Sequence, residues 1–107
     1  MSAGGEWVEA ADVAEFAATD RKLVQAGGHA VGLFLHEGEY LAMSVWCSHQ
    51  KASLLQGEVA DGAIECPLHG ARFELKTGRP LCLPAVQAVP VYETRVEGGK
   101  VLIRLPP

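Results

Sequence analysis

The sequence predicts an all-β fold, an antiparallel sandwich or barrel built as a single domain over residues 1–107. Three observations lead there. Apolar and β-branched runs are short. Turn dipeptides such as Gly27-Gly28, Asp61-Gly62 and Gly98-Gly99 separate them at close intervals. The final hairpin alternates, with Val91, Glu93 and Arg95 against Tyr92, Thr94 and Val96, then Val101, Ile103 and Leu105 against Leu102 and Arg104.

Taken in order, Met1 to Gly5 is small and Gly-rich, a frayed end. Trp7-Val8 opens a first strand, and Asp12 caps a short turn or helix over Val13 to Ala17. Arg21 to Ala26 is a strand, turned by Gly27-Gly28 into His29 to His36. That second strand puts Val31, Leu33 and Leu35 on one face and Gly32 and Phe34 on the other. Glu37-Gly38-Glu39 reverses the chain into Tyr40 to Val45, which delivers Trp46 and Cys47 to its tip. Gly57 to Ala60 and Ala63 to Glu65 flank Asp61-Gly62 as a small hairpin, and the second arm delivers Cys66. Arg72 to Lys76 is a further strand, followed by a turn at Thr77-Gly78-Arg79-Pro80. Leu81 to Val89 is irregular, with Pro84 at its middle. Pro90 to Val96, Gly98-Gly99 and Lys100 to Leu105 close the chain as one hairpin.

Bulk properties narrow the function. The formal net charge is −4, and the nine Lys and Arg are scattered, only Arg21 and Lys22 being adjacent. No basic stripe exists for nucleic acid. No apolar run approaches the ~20 residues of a membrane span, and the N-terminus has no leader pattern. The expectation is a soluble, cytoplasmic monomer with no nucleic-acid or membrane partner. The three cysteines, Cys47, Cys66 and Cys82, are an odd number, which argues against a complete disulfide framework. Cysteine beside histidine fits a metal site in a reducing compartment.

The chemistry concentrates between Trp46 and Phe73. Cys47-Ser48-His49 is followed, after 16 residues, by Cys66-Pro67-Leu68-His69. Each segment offers one thiolate and one imidazole. Three readings compete for Cys47, His49, Cys66 and His69. One is coincidence, with cysteines in a core and histidines satisfying their own hydrogen bonds. A second is a structural Cys2His2 zinc site, although zinc modules usually pair like ligand with like. The third is a [2Fe–2S] cluster with two Cys on one iron and two His on the other, which asks each loop to span both irons.

The pair of motifs resembles those of Rieske iron–sulfur proteins, and Leu54, Gly57, Phe73, Thr77-Gly78, Pro84-Ala85 and the terminal hairpin extend the similarity along nearly the whole chain. The length is similar to that of the free-standing Rieske ferredoxins of bacterial oxygenase systems. The resemblance implies a Rieske-like antiparallel sandwich or barrel with a small cluster-binding subdomain, about residues 45–85, formed by two loops. It implies one [2Fe–2S] cluster on Cys47, His49, Cys66 and His69, with the electron residing on the histidine-held iron.

Departures from the pattern are informative. Respiratory Rieske proteins carry an extra, disulfide-linked Cys in each loop, where this chain has Ala52 and Leu68. They also place Ser and Tyr hydroxyls toward the cluster, where this chain has Ala71 and Phe73. Fewer donors leave the reduced cluster less stabilised, so the expected potential is at the low end of the Rieske range, about −150 mV.

Other residues carry plainer expectations. Cys82 reads as a small core or loop filler. His29 and His36 read as strand-end surface residues. Trp46, Leu54, Leu68 and Pro84 read as core packing or as a dry shell around the loops. Lys51 and Arg72 are solvated charges or docking contacts.

Oxygenase chemistry needs a second metal site, for which only His29 and His36 remain, and no Gly-rich dinucleotide fingerprint is present. By elimination the chain is a one-electron carrier rather than an enzyme. The resemblance implies a ferredoxin reductase as donor and a terminal Rieske non-haem iron oxygenase, acting on aromatic compounds, as acceptor. Two rivals are a small Rieske-like subunit of an assimilatory nitrite reductase and a structural zinc-binding module.

Overall fold

The computed structural model describes residues 5–46, 53–67, 70–81 and 87–106. Among the described residues ten strands run in chain order: β1 Trp7–Asp12, β2 Arg21–Ala26, β3 His29–His36, β4 Glu39–Ser44, β5 Glu58–Ala60, β6 Ala63–Glu65, β7 Arg72–Glu74, β8 Val91–Tyr92, β9 Thr94–Glu97 and β10 Lys100–Arg104. Short 3-10 turns occupy Val13–Ala17 and Leu54–Gln56. The strands form three antiparallel sheets with orders β1-β10-β9, β2-β3-β4-β8 and β5-β6-β7. No helix among the described residues is long and apolar enough to cross a membrane.

The β2-β3-β4-β8 sheet separates two cores, because successive side chains on a strand point to opposite faces. Val31 and Leu33 of β3 and Ala42 of β4 join Ala10, Phe16, Val24, Val101 and Ile103 in an outer core. Phe34 of β3 and Met43 of β4 join Leu54, Ile64, Cys66, Ala71, Phe73, Leu75 and Val89 in a second, loop-side core. The expected division of β3 into two faces is thus present, and both faces are buried. Gly32 sits in a crowded place: a Cβ on it would lie 3.0 Å from the Phe34 ring and 3.3 Å from Leu55.

The hairpins turn where the dipeptides indicate. In β5–β6, Asp61 and Gly62 both adopt positive φ, 54° and 74°, the conformation of a type I′ turn. Asp12 precedes the first 3-10 turn, and its backbone N–H donates to the Glu15 carboxylate at 2.8 Å. His29 and His36 lie half-buried at the two ends of β3.

One element differs. Pro90 to Val96 is not a single strand. Val91–Tyr92 pairs with β4, whereas Thr94–Glu97 pairs with β10 in another sheet. The chain changes sheets at Glu93, whose carbonyl accepts from the Arg104 N–H at 3.0 Å, while the Thr94 hydroxyl donates to the Tyr40 carbonyl at 2.6 Å. Alternation continues through the crossing, so periodicity carries no sign of the change of partner. The strand at Arg72 also ends early, at Glu74, because the turn through Gly78 closes back on the Glu74 carbonyl at 2.7 Å.

Candidate metal centre

The first ligand-bearing stretch follows β4. Val45 donates to the Ala30 carbonyl at 3.2 Å, and Trp46 forms an antiparallel bridge with Ser53. Leu54 N–H returns to the Val45 carbonyl at 2.6 Å. The Ser53 hydroxyl then accepts from Leu55 N–H at 3.2 Å, capping the 3-10 turn Leu54–Gln56. These contacts bracket residues 47–52. Cys47 and His49 fall in that interval, outside the described residues.

The second stretch joins β6 to β7. Cys66 N–H donates to the Ala71 carbonyl at 2.6 Å. Gly70 stands at φ 71°, in the left-handed region. His69 lies outside the described residues, whereas Cys66 is placed and only 1% exposed. Among the described residues no three His, Cys, Asp or Glu gather into a metal site, three of the four expected ligands being beyond them.

Both stretches arise from the same packed body. Leu54 and Cys66 belong to the loop-side core, with Phe34, Ile64 and Phe73 between the sheets. Gly57 lies flush against the end of β6, just before Cys66: a Cβ on it would fall 2.1 Å from the Glu65 carbonyl oxygen. A third segment runs beside the second. Phe73 bridges Pro80, Leu81 N–H donates to the Arg72 carbonyl at 2.8 Å, and Val89 N–H to Gly78 at 2.8 Å. Cys82 and Pro84 of that segment, with Lys51, Ala52 and Leu68, lie outside the described residues.

A charged row crosses the small sheet beside Cys66. Glu58 opposes Glu65, and Glu65 opposes Arg72. Directly opposed like charges are destabilising by themselves, and Arg72, of opposite sign, stands across from Glu65 on the other side. Ala71 and Phe73, expected to replace hydroxyl donors, are both fully buried. Leu54 is core, whereas Trp46 is 55% exposed, neither core packing nor a buried dry shell. Sequence reading missed Arg21, whose guanidinium reaches the backbone of this region from β2. Its targets are 34 and 36 residues away, a separation that no local pattern signals.

Comparison with known proteins decides the family. The profile of the Rieske [2Fe-2S] domain matches residues 6–93. The chain belongs to the Rieske [2Fe-2S] domain family. Its relatives include the 3-phenylpropionate/cinnamic acid dioxygenase ferredoxin subunit of Escherichia coli strain K12, 48% identical over 77 residues, which are 71% of this chain and 73% of that protein. Among solved structures it is similar to the ferredoxin of carbazole 1,9a-dioxygenase from Nocardioides aromaticivorans IC177, with a TM-score of 0.87, 30% identity, and coverage of 96% of this chain and 100% of that one. It is also similar to the complex of reduced oxygenase and oxidized ferredoxin in carbazole 1,9a-dioxygenase, with a TM-score of 0.85, 25% identity, and coverage of 94% and 95%.

The Rieske cofactor is a [2Fe–2S] cluster, and the residues suit it. Cys66 offers a buried thiol immediately after β6. The Trp46–Ser53 bridge, which brackets the interval holding Cys47 and His49, rises from the same core through Leu54. Two thiolates and two neutral imidazoles leave an oxidised cluster with a formal charge of about zero, against about −2 for four thiolates, which raises the potential.

Proposed function

We propose that this Rieske chain is the ferredoxin component of a multicomponent oxygenase system acting on aromatic compounds, with its cluster held by Cys47 and Cys66 on one iron and His49 and His69 on the other. The observation that carries the function is the near end-to-end match with a free-standing ferredoxin of an aromatic dioxygenase. A ferredoxin subunit of a second aromatic dioxygenase is 48% identical. The chain is an electron-transfer component and not itself the oxygenase.

When bound, the cluster accepts one electron and returns it. What the protein supplies is position and dryness. Cys66 would hold one iron from within the loop-side core, out of water. The family resemblance supports an electron exit through His49 and His69. The whole chain serves as one domain, with residues 45–85 as its cluster-binding part.

The acceptor is a terminal oxygenase, as in the ferredoxin–oxygenase complex it resembles. The donor in this reading is an NAD(P)H-dependent ferredoxin reductase, and the carrier is a monomer in the cytoplasm, where ligand thiols stay reduced until the cluster is inserted. The test is reconstitution. The purified holoprotein, added to a reductase and a terminal oxygenase that lack a ferredoxin, restores NAD(P)H-dependent ring hydroxylation. Failure with every such pair, by a protein that carries its cluster, contradicts the carrier role.

A further inference from the structure

Arg21 opens β2, an edge strand of the middle sheet, and its side chain is 22% exposed. Nε donates to Asp20 Oδ1 at 2.9 Å and Nη2 to Oδ2 at 3.3 Å, so the neighbouring carboxylate fixes one edge of the guanidinium. On the other edge Nη1 donates to two backbone carbonyls, Leu55 at 3.0 Å and Gly57 at 2.5 Å. The guanidinium carbon sits 5.2 Å from the ring centroid of Phe34, which shares the loop-side core with Cys66.

The two carbonyls belong to the exit of the 3-10 turn Leu54–Gln56, where helical carbonyls lack partners within the turn. That turn is the anchor of the first ligand-bearing stretch through the Leu54–Val45 hydrogen bond and the Trp46–Ser53 bridge. Gly57, in turn, abuts the Glu65 carbonyl, one residue before Cys66. A continuous path of contacts therefore runs from Asp20 through Arg21 and Gly57 to Glu65 and Cys66, with a branch through Leu54 toward Cys47. A planar, always-charged fork suits this work: it holds a carboxylate and two carbonyls at once, in one plane, which an ammonium does not.

We propose that Arg21, oriented by Asp20, is a positioning residue for the cluster: it fixes the first ligand-bearing stretch relative to the second, and thereby sets how firmly the cluster is held and the potential at which it takes up an electron. The proposal rests on Cys47, His49, Cys66 and His69 being the ligands. Among the described residues the Arg21 guanidinium meets the Asp20 carboxylate, the Leu55 and Gly57 carbonyls and the Phe34 ring, so it acts on the ligand-bearing stretches through backbone.

The test uses the holoprotein with Arg21→Ala, Arg21→Lys and Asp20→Asn. The readouts are loss of the visible cluster absorption under an iron chelator, the midpoint potential, and the electron paramagnetic resonance g values. Val24→Ala is the control, since Val24 lies on the same strand but packs in the outer core. Removal of outer-shell partners typically costs 10–100-fold in metal affinity. Arg21→Ala is therefore expected to shorten cluster lifetime about tenfold and to move both potential and g values. Arg21→Lys and Asp20→Asn should fall between this variant and wild type. Val24→Ala should lower the melting temperature while leaving lifetime, potential and g values in place. Wild-type values of all three in Arg21→Ala overturn the proposal, as do equal changes in Val24→Ala at matched stability. Should Arg21→Ala not fold, Arg21→Lys and Asp20→Asn decide by the same readouts. Failure of the ligand set appears separately, as wild-type spectra in His49→Ala or His69→Ala.

Discussion

Gly57 packs against the backbone of Glu65 so closely that a Cβ would lie 2.1 Å from the carbonyl oxygen and 3.1 Å from the carbonyl carbon. The neighbour is backbone at the end of β6, which leads into Cys66, so it has little freedom to yield. Gly57 itself has φ −80°, which any residue adopts, so a substitution here is penalised by crowding alone. Gly57→Ala is expected to cost about 1–3 kcal/mol, the usual range for overpacking, and to speed cluster loss, because the displaced strand carries Cys66. Urea titration and chelator-driven bleaching measure the two effects. Wild-type behaviour in both would show that the contact relaxes without consequence.

The ligand set has its own test. His49→Ala and His69→Ala each remove one imidazole and should lose the visible chromophore or leave it unstable. Cys82→Ser should retain the cluster and most electron transfer. Spectra after anaerobic purification check all three. A wild-type spectrum in either histidine variant removes that residue from the set, and cluster loss in Cys82→Ser overturns its assignment as filler.

The hairpins were legible in the sequence because their turn residues state a conformation directly: Asp61-Gly62 wants positive φ at two successive positions and has it. The two faces of β3 were legible for a similar reason, since period-2 burial is local. The change of sheets at Glu93 was not, because alternation is the same whichever strand lies alongside. The exposure of Trp46 was also hidden: a large apolar residue beside a motif says nothing about which way its strand end points. At the site, the expected ligand pairs stand out by their spacing, whereas the contacts of Arg21 and of Gly57 with Glu65 depend on tertiary approach. Of the four expected ligands only Cys66 falls within the described residues.

Potential follows from the missing hydroxyls. Ala71 and Phe73 are buried and carry no side-chain donor, so the reduced cluster receives less hydrogen bonding than one flanked by Ser and Tyr. The midpoint should lie near the low end of the Rieske range, about −150 mV, and Ala71→Ser should raise it. Protein-film voltammetry measures both. A wild-type midpoint above zero at neutral pH contradicts the argument.

Acid should loosen the Asp20–Arg21 pair. The hydrogen bond from Arg21 is the main cause holding the Asp20 carboxyl below the ordinary aspartate range. A carboxylate whose folded pKa is depressed contributes stability that is present above the unfolded value, about 3.9, and is lost as pH falls through the lower folded value. Asp20 is largely exposed, which keeps the effect small. The stability difference between wild type and Asp20→Asn should therefore be largest near neutral pH and shrink below about pH 4. Urea midpoints at several pH values check the sign, and a difference that grows on acidification would reverse it.

Iron and acid-labile sulfide, quantified per chain in anaerobically purified protein, test the central claim most directly. A Rieske centre gives two irons and two sulfides. Stoichiometric zinc in a colourless protein without sulfide would contradict it.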